Sequence, residues 1–304
     1  MKNPYKRLDI FACVHESHRN FKNRISAYHI LKEKGCYPQG CFYFRWKCKQ
    51  LSKRSRCHRG FSHVGRKCDG CRYFVEEKVH NYPELKISRE EYDEFIKSVE
   101  DFEEWISEIQ HREIEIAGTV NSVKPHFKKK IYPKARYLSF RGYLLAFKEI
   151  YLNQTHFQDP IYLLVSSRYY HQLRVGRGDQ IEGRCRLKLD RGRPILYYPR
   201  GVQIISRGEP AIWNDQQVIV ARETATTFPE QPEECMQCPF GALLDVEYHK
   251  DQHAHPQREL MCLKGIQDYK NCYVTVEYCG QDREARETLQ EACEKYGKIF
   301  IPKS

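Results

Sequence analysis

The sequence predicts an α+β multidomain chain, and three observations lead to that expectation. A basic, cysteine-rich stretch has almost nothing apolar to pack, one segment repeats apolar residues at helical spacing, and residues 111–208 alternate as strands do. With 304 residues the chain is too long for one small core. Charge divides along the same lines. Residues 1–80 carry 19 Lys and Arg against 6 Asp and Glu, 81–110 carry 3 against 10, 111–208 carry 19 against 7, and 209–304 carry 10 against 17. Two basic blocks, each followed by an acidic one, point to a polyanionic partner on one face, most simply nucleic acid. A solvated basic surface is the plainer alternative.

Residues 1–87 read as a basic, cysteine-rich, metal-binding module. From Cys36 to Cys71 the chain runs CYPQGCFYFRWKCKQLSKRSRCHRGFSHVGRKCDGC, setting Cys36, Cys41, Cys48, Cys57, Cys68 and Cys71 among Arg and Lys side chains. Thiolates gathered on a metal replace missing apolar area, because the binding free energy becomes folding free energy. The intervals are x4, x6, x8, x10 and x2, so Cys68-Asp69-Gly70-Cys71 is the one tight knuckle that presents two sulfurs to one metal. Four thiolates satisfy one zinc or one 4Fe-4S cluster, and His58 and His63 are available for a second site. Arg45, Lys47, Lys49, Arg66 and Lys67 would lower the thiolate pKa values. Upstream, Cys13, His15 and His18 are further donors, although a lone Cys near apolar residues is usually a small buried hydrophobe. Phe21, Ile25, Tyr28, Ile30 and Leu31 form one helical turn set ending at Gly35. The opening residues lack the apolar core of a secretion signal, and no apolar run is long enough for a bilayer, so a cytoplasmic protein without a membrane is expected. In a reducing compartment the fourteen cysteines are metal ligands sooner than disulfides.

Residues 88–110 read as an amphipathic connector. Ser88 and Glu91 make a capping box, and Tyr92, Phe95, Ile96, Val99, Phe102, Trp105, Ile106 and Ile109 recur at three- and four-residue steps. An acidic outer face makes this helix a brace rather than a polyanion contact.

Residues 111–208 supply a first strand over 113–120 that Gly118 interrupts, then a basic loop with Lys124, His126, Lys128, Lys129, Lys130, Lys134 and Arg136. Further strands follow over 137–147, 160–165, 180–189 and 194–205, with a short helix over 166–173. This order resembles the OB-fold, and VGRGDQIEGRCRL is similar to the turn into its fourth strand. The resemblance implies a five-stranded β-barrel that commonly binds single-stranded nucleic acid across its second and third strands. Lys128, Lys129, Lys130, Lys134, Arg136 and Arg141 can neutralise phosphates, while Tyr137, Phe140 and Tyr143 offer faces for base stacking. Alternating aromatics also place half of themselves in a core, and such barrels also serve as spacers.

Residues 209–304 read as a small α/β domain with a second metal site. Cys235-Met236-Gln237-Cys238 is a knuckle followed by Pro239 and Gly241, with Cys262 and Cys272 completing a four-thiolate set. Nine residues separate the final pair, which suits an iron-sulfur cluster as well as zinc. His249, His253 and His255 are alternative zinc donors, or simply a solvated polar loop. Strands over 273–278 and 298–301 flank a helix over 282–296, with Cys279 and Cys293 as packing residues.

No phosphate loop, dinucleotide glycine fingerprint, H-E-x-x-H or G-x-S-x-G motif occurs, so hydrolytic catalysis has no support from the sequence. The expectation is a metal-stabilised protein that binds single-stranded DNA or RNA and has no catalytic centre of its own. Its rival is an iron-sulfur electron-transfer protein, or an accessory subunit working with protein partners in a larger redox or cluster-dependent complex.

Overall fold

The computed structural model describes residues 1–16, 18, 25–53, 55–228, 232–250, 253–272 and 274. The chain divides into two compact units, Asn3–Asp101 and Met1–Lys2 with Phe102–Ser304. Among the described residues no helix is long and apolar enough to cross a membrane.

The unit Asn3–Asp101 contains strands β1 (Phe11–Ala12), β2 (Cys41–Cys48), β3 (Phe74–Asn81) and β4 (Glu84–Leu85). β1 pairs antiparallel with β4, and β2 with β3, so two small sheets form here. Tyr5, Ile10, Phe11, Ile30 and Phe95 are fully buried and give this unit a modest core. A two-stranded ribbon is marginal in water without further support.

Helix α1 (Arg89–Ile109) forms where its pattern places it. Ser88 Oγ accepts the Glu91 N–H at 3.2 Å, and the Glu91 carboxylate accepts the Ser88 N–H at 2.9 Å, which is the expected reciprocal cap. The boundary between the two units falls within this helix. Tyr92, Phe95 and Val99 are buried before the boundary, and Phe102, Trp105, Ile106 and Ile109 after it. In the second unit the Trp105 ring stacks on Phe157 with centroids 5.7 Å apart.

The second unit is built on β5 (Glu113–Thr119), β6 (Ser122–Ile131), β7 (Arg136–Phe147), β8 (Ile150–Leu152), β9 (Thr155–Phe157) and β10 (Ile161–Val165). Helix α2 (Ser167–Leu173) leads to β11 (Gln180–Asp190) and β12 (Arg193–Ser206). Then come α3 (Asp215–Thr224), β13 (Thr226–Phe228), α4 (Glu233–Gln237), β14 (Gly241–Lys250) and β15 (His253–Cys262). These strands form one mixed sheet of eleven, ordered β13-β15-β14-β6-β7-β10-β12-β11-β5-β8-β9.

This arrangement corrects the expected fold class. No five-stranded barrel forms; the strands of 111–208 belong to a large sheet that is not closed. The basic loop expected after the first strand is itself strand β6, antiparallel to β7. Residues 209–304 do not stand as a separate α/β body, because β14 pairs in parallel with β6 from Leu244↔Phe127 to Tyr248↔Ile131. Phe127, Leu244 and Val246 are buried, so this pairing joins two apolar stripes. Alternation identifies strands but not partners, and this partner lies far away in the sequence. A bulge between His126 and Phe127 needs Gly142 opposite it, at φ +112°, where an added Cβ would lie 2.3 Å from the Val165 carbonyl oxygen. Apart from Val274, the elements expected at 273–278, 282–296 and 298–301, with Cys279 and Cys293, lie outside the described residues, as does Phe21.

Candidate nucleic-acid interface and thiol clusters

The β6–β7 hairpin divides its basic residues by depth. Near its base Lys124 is buried, and its Nζ donates to the carbonyl oxygens of Gly241, at 3.0 Å, and Met236. Lys128 Nζ lies 2.6 Å from Glu247 Oε1, and Lys129 Nζ lies 3.2 Å from Glu259 Oε2. Both carboxylates come from the β14–β15 pair that covers the β6 edge. Toward the turn, Lys134, Arg136 and Tyr137 are exposed, with Lys130 half-buried opposite Tyr137. Tyr137 is 61% exposed, and its ring meets that of Tyr132 edge-on at 5.8 Å. Tyr132 also stacks on His249 at 4.7 Å. Arg141 is exposed and Phe140 half-buried.

Tyr143, expected to stack a base, is fully buried and offers no face to a ligand. Its side chain follows Gly142 into the interior, and its hydroxyl donates to Asp215 Oδ1 at 2.8 Å. Burial, together with this carboxylate, pushes the Tyr143 phenol well above its ordinary range. Ser167 Oγ lies 2.6 Å from Asp215 Oδ2, and His171 Nε2 lies 2.9 Å from Oδ1. Burial alone would raise the Asp215 carboxyl, but Ser167, His171 and Tyr143 together outweigh it and hold it below the usual range. Ser167 and His171 each address the carboxylate, so the histidine does not stand between serine and acid as a nucleophile triad requires. Asp215 follows Asn214, the N-cap of α3, and the cluster ties α2, α3 and β7 together.

The seven cysteines of the first unit fall into two groups. Cys48, Cys57, Cys68 and Cys71 line one small cavity together with His58 and His63. Cys36 and Cys41 lie instead with Cys13. Asn81 Nδ2 donates to Cys13 Sγ at 3.0 Å and to Cys41 Sγ at 3.9 Å, and burial together with Cys41 and Cys13 pushes the Cys36 thiol up to about 11. In the second unit, burial and then the neighbouring Cys238, Cys272 and Cys262 push the Cys235 thiol up to about 12. Gly241 allows that approach, since an added Cβ would lie 1.9 Å from the Cys235 carbonyl oxygen. Cys262 pairs across from Gly241 in the β14–β15 ladder. The cysteines in the described residues are free thiols. Among those residues no three Cys, His, Asp or Glu side chains stand close enough together to hold a metal ion.

A cavity of about 370 Å³ lies beside residues 117–121, at the end of β5, and is bordered by Lys148, Tyr151, His156 and Arg177. A feature the sequence reading passed over lies in the first unit. β2 alternates so that Phe42, Phe44 and Trp46 emerge on one face, opposite His80, Lys78 and Glu76 of β3. The period-two pattern within CFYFRWKC is the signal that could have found it.

No protein-family model matches the chain, and no curated protein matches it.

Proposed function

We propose that this chain is a metal-stabilised protein that binds single-stranded nucleic acid, and that it works in the cytoplasm without a catalytic centre of its own. The observation that carries this reading is the free end of the β6–β7 hairpin, where Lys134, Arg136 and Tyr137 are exposed together. Cations there can neutralise successive phosphates while the tyrosine face accepts a base, and neither interaction depends on sequence. Arg141 and Lys130 extend the cationic strip, whereas Lys128 and Lys129 are engaged by glutamates and contribute less.

Zinc or a 4Fe-4S cluster would be held by Cys235, Cys238, Cys262 and Cys272, and in the first unit by Cys48, Cys57, Cys68 and Cys71. Either group supplies thiolate ligation that closes loops, which suits the long connection over residues 49–73. Burial pushes the Cys238 thiol up, and the backbone hydrogen bond at Phe240 and the buried ammonium of Lys124 offset that push only in part, so a metal would have to draw these sulfurs together as thiolates. Free thiols also accord with a reducing compartment.

The test is fluorescence anisotropy with labelled oligo-dT and oligo-U across a salt series. Binding that weakens with salt is the expected result; absence of binding to both oligonucleotides at low salt would end this reading.

A further inference from the structure

The β2–β3 hairpin carries an exposed row of rings that the β6–β7 site does not use. Phe42, Phe44 and Trp46 are 53%, 54% and 42% exposed, and all point from the same face of β2. Single exposed apolar residues are ordinary, but three large rings in a line on one face mark an interaction surface. The row is held in place. Phe42 and Phe44 meet edge-on at 5.9 Å, and Trp46 Nε1 donates to Glu76 Oε1 at 2.7 Å. Lys78 Nζ sits 4.0 Å from the Phe42 ring centroid, and His80 stands opposite Phe42 on β3.

From this geometry we infer that the Phe42–Phe44–Trp46 face is a second stacking platform for single-stranded nucleic acid, one base to each ring, with Lys78 beside the backbone phosphates. The inference rests on the nucleic-acid reading above and adds a second surface to it. Alternate residues of a strand are about 6.7 Å apart. The Phe42 and Phe44 centroids stand 5.9 Å apart, a separation that successive unstacked bases of an extended single strand can span. Aromatic rows on a sheet are a general means of holding unpaired bases. Charge selects this occupant over an apolar protein partner, because residues 1–80 carry 19 Lys and Arg against 6 Asp and Glu. Lys47 is engaged with Glu77 on the opposite face, while Lys78 remains on the aromatic side.

The experiment uses the full chain and measures anisotropy with labelled oligo-dT and oligo-U. Phe44→Ala and Trp46→Ala are each expected to weaken binding by about fivefold or more, whereas Phe44→Tyr and Trp46→Phe stay within about twofold of the parent. A combined Lys134→Glu and Arg136→Glu variant separates the two surfaces. If that variant binds less tightly while the alanine variants bind as the parent does, this platform is overturned and the nucleic-acid reading stands. If the parent binds neither oligonucleotide, both fall. Should the alanine variants change sedimentation from dimer to monomer without altering oligonucleotide affinity, the face serves a second copy and the inference is overturned. Melting temperature controls for folding. If a variant does not fold, the parent still reports: quenching of fluorescence by oligo-dT that is larger than in Trp46→Phe supports contact, and equal quenching overturns it.

Discussion

The buried Nζ of Lys124 donates to the carbonyl oxygen of Gly241 at 3.0 Å, and Gly241 is paired with Cys262 across the β14–β15 ladder. An ammonium taken from water needs strong acceptors or a counter-charge. Two carbonyls serve that need, and thiolates at the adjoining cysteines would add a counter-charge. Lys124→Met should cost about 1–3 kcal/mol in denaturant unfolding, because it strands buried carbonyls. It should also reduce metal retained per chain. Unchanged metal content would separate the lysine from the thiols.

Arg258 ties Asp245 and Asp190 together, with Nε 2.9 Å from Asp245 Oδ1 and NH2 on Asp190. Burial would raise the Asp245 carboxyl, but His126 and Arg258 more than reverse this and hold it far below the ordinary range. A depressed carboxyl stabilises the fold above its unfolded pKa of about 3.9, and the stabilisation is lost as pH falls through the lower folded value. Arg258→Met should therefore cost about 3 kcal/mol at pH 7, with the gap from the parent narrowing in acid. Urea unfolding at several pH values measures it, and a gap independent of pH would contradict the assignment.

Tyr137 and Tyr143 sit on the same strand and should behave oppositely. Tyr143→Phe removes the bond to Asp215 and should cost about 1 kcal/mol of stability while leaving oligonucleotide affinity alone. Tyr137→Ala should leave the melting temperature near the parent and weaken binding by about 1–3 kcal/mol. Reversal of this pattern would remove the hairpin from the ligand path.

Each phosphate contact to a single strand adds about 0.7 to the slope of log affinity against log salt. Replacing Lys134 and Arg136 together with Glu should therefore flatten the slope by at least about 1.4. Lys128→Glu should weaken binding less and destabilise more, since it places a carboxylate against Glu247. An equal salt slope for all variants would place the contacts elsewhere.

Metal analysis of protein purified without oxygen, with an absorption spectrum, distinguishes zinc from iron. Chelation should lower the melting temperature in either case, because ligand bonds contribute to folding. Cys57→Ser should cause a similar loss, since Cys57 lines the shared cavity. Cys185→Ser should leave the metal content intact, since Cys185 is buried within β11, outside the cysteine groups. Retained stability after complete metal removal would contradict a structural role.

The sequence by itself determined the elements whose signals are local. Ser88 and Glu91 with the stripe from Tyr92 to Ile109 specify α1, and Ser166 specifies the start of α2 by accepting the Tyr169 N–H. Alternation likewise located β5, β7, β10, β11 and β12, because side chains one residue apart point to opposite faces. It did not reveal that 124–131 is a strand, since Lys128, Lys129 and Lys130 look solvated until Glu247 and Glu259 arrive from β14 and β15. Only the tertiary structure decided that the strands extend into an open sheet of eleven, that Tyr143 turns inward, and that Phe42, Phe44 and Trp46 stay outside. Each of these depends on which distant segment covers an edge or a face, and a strand's own pattern carries its period but not the identity of its neighbour.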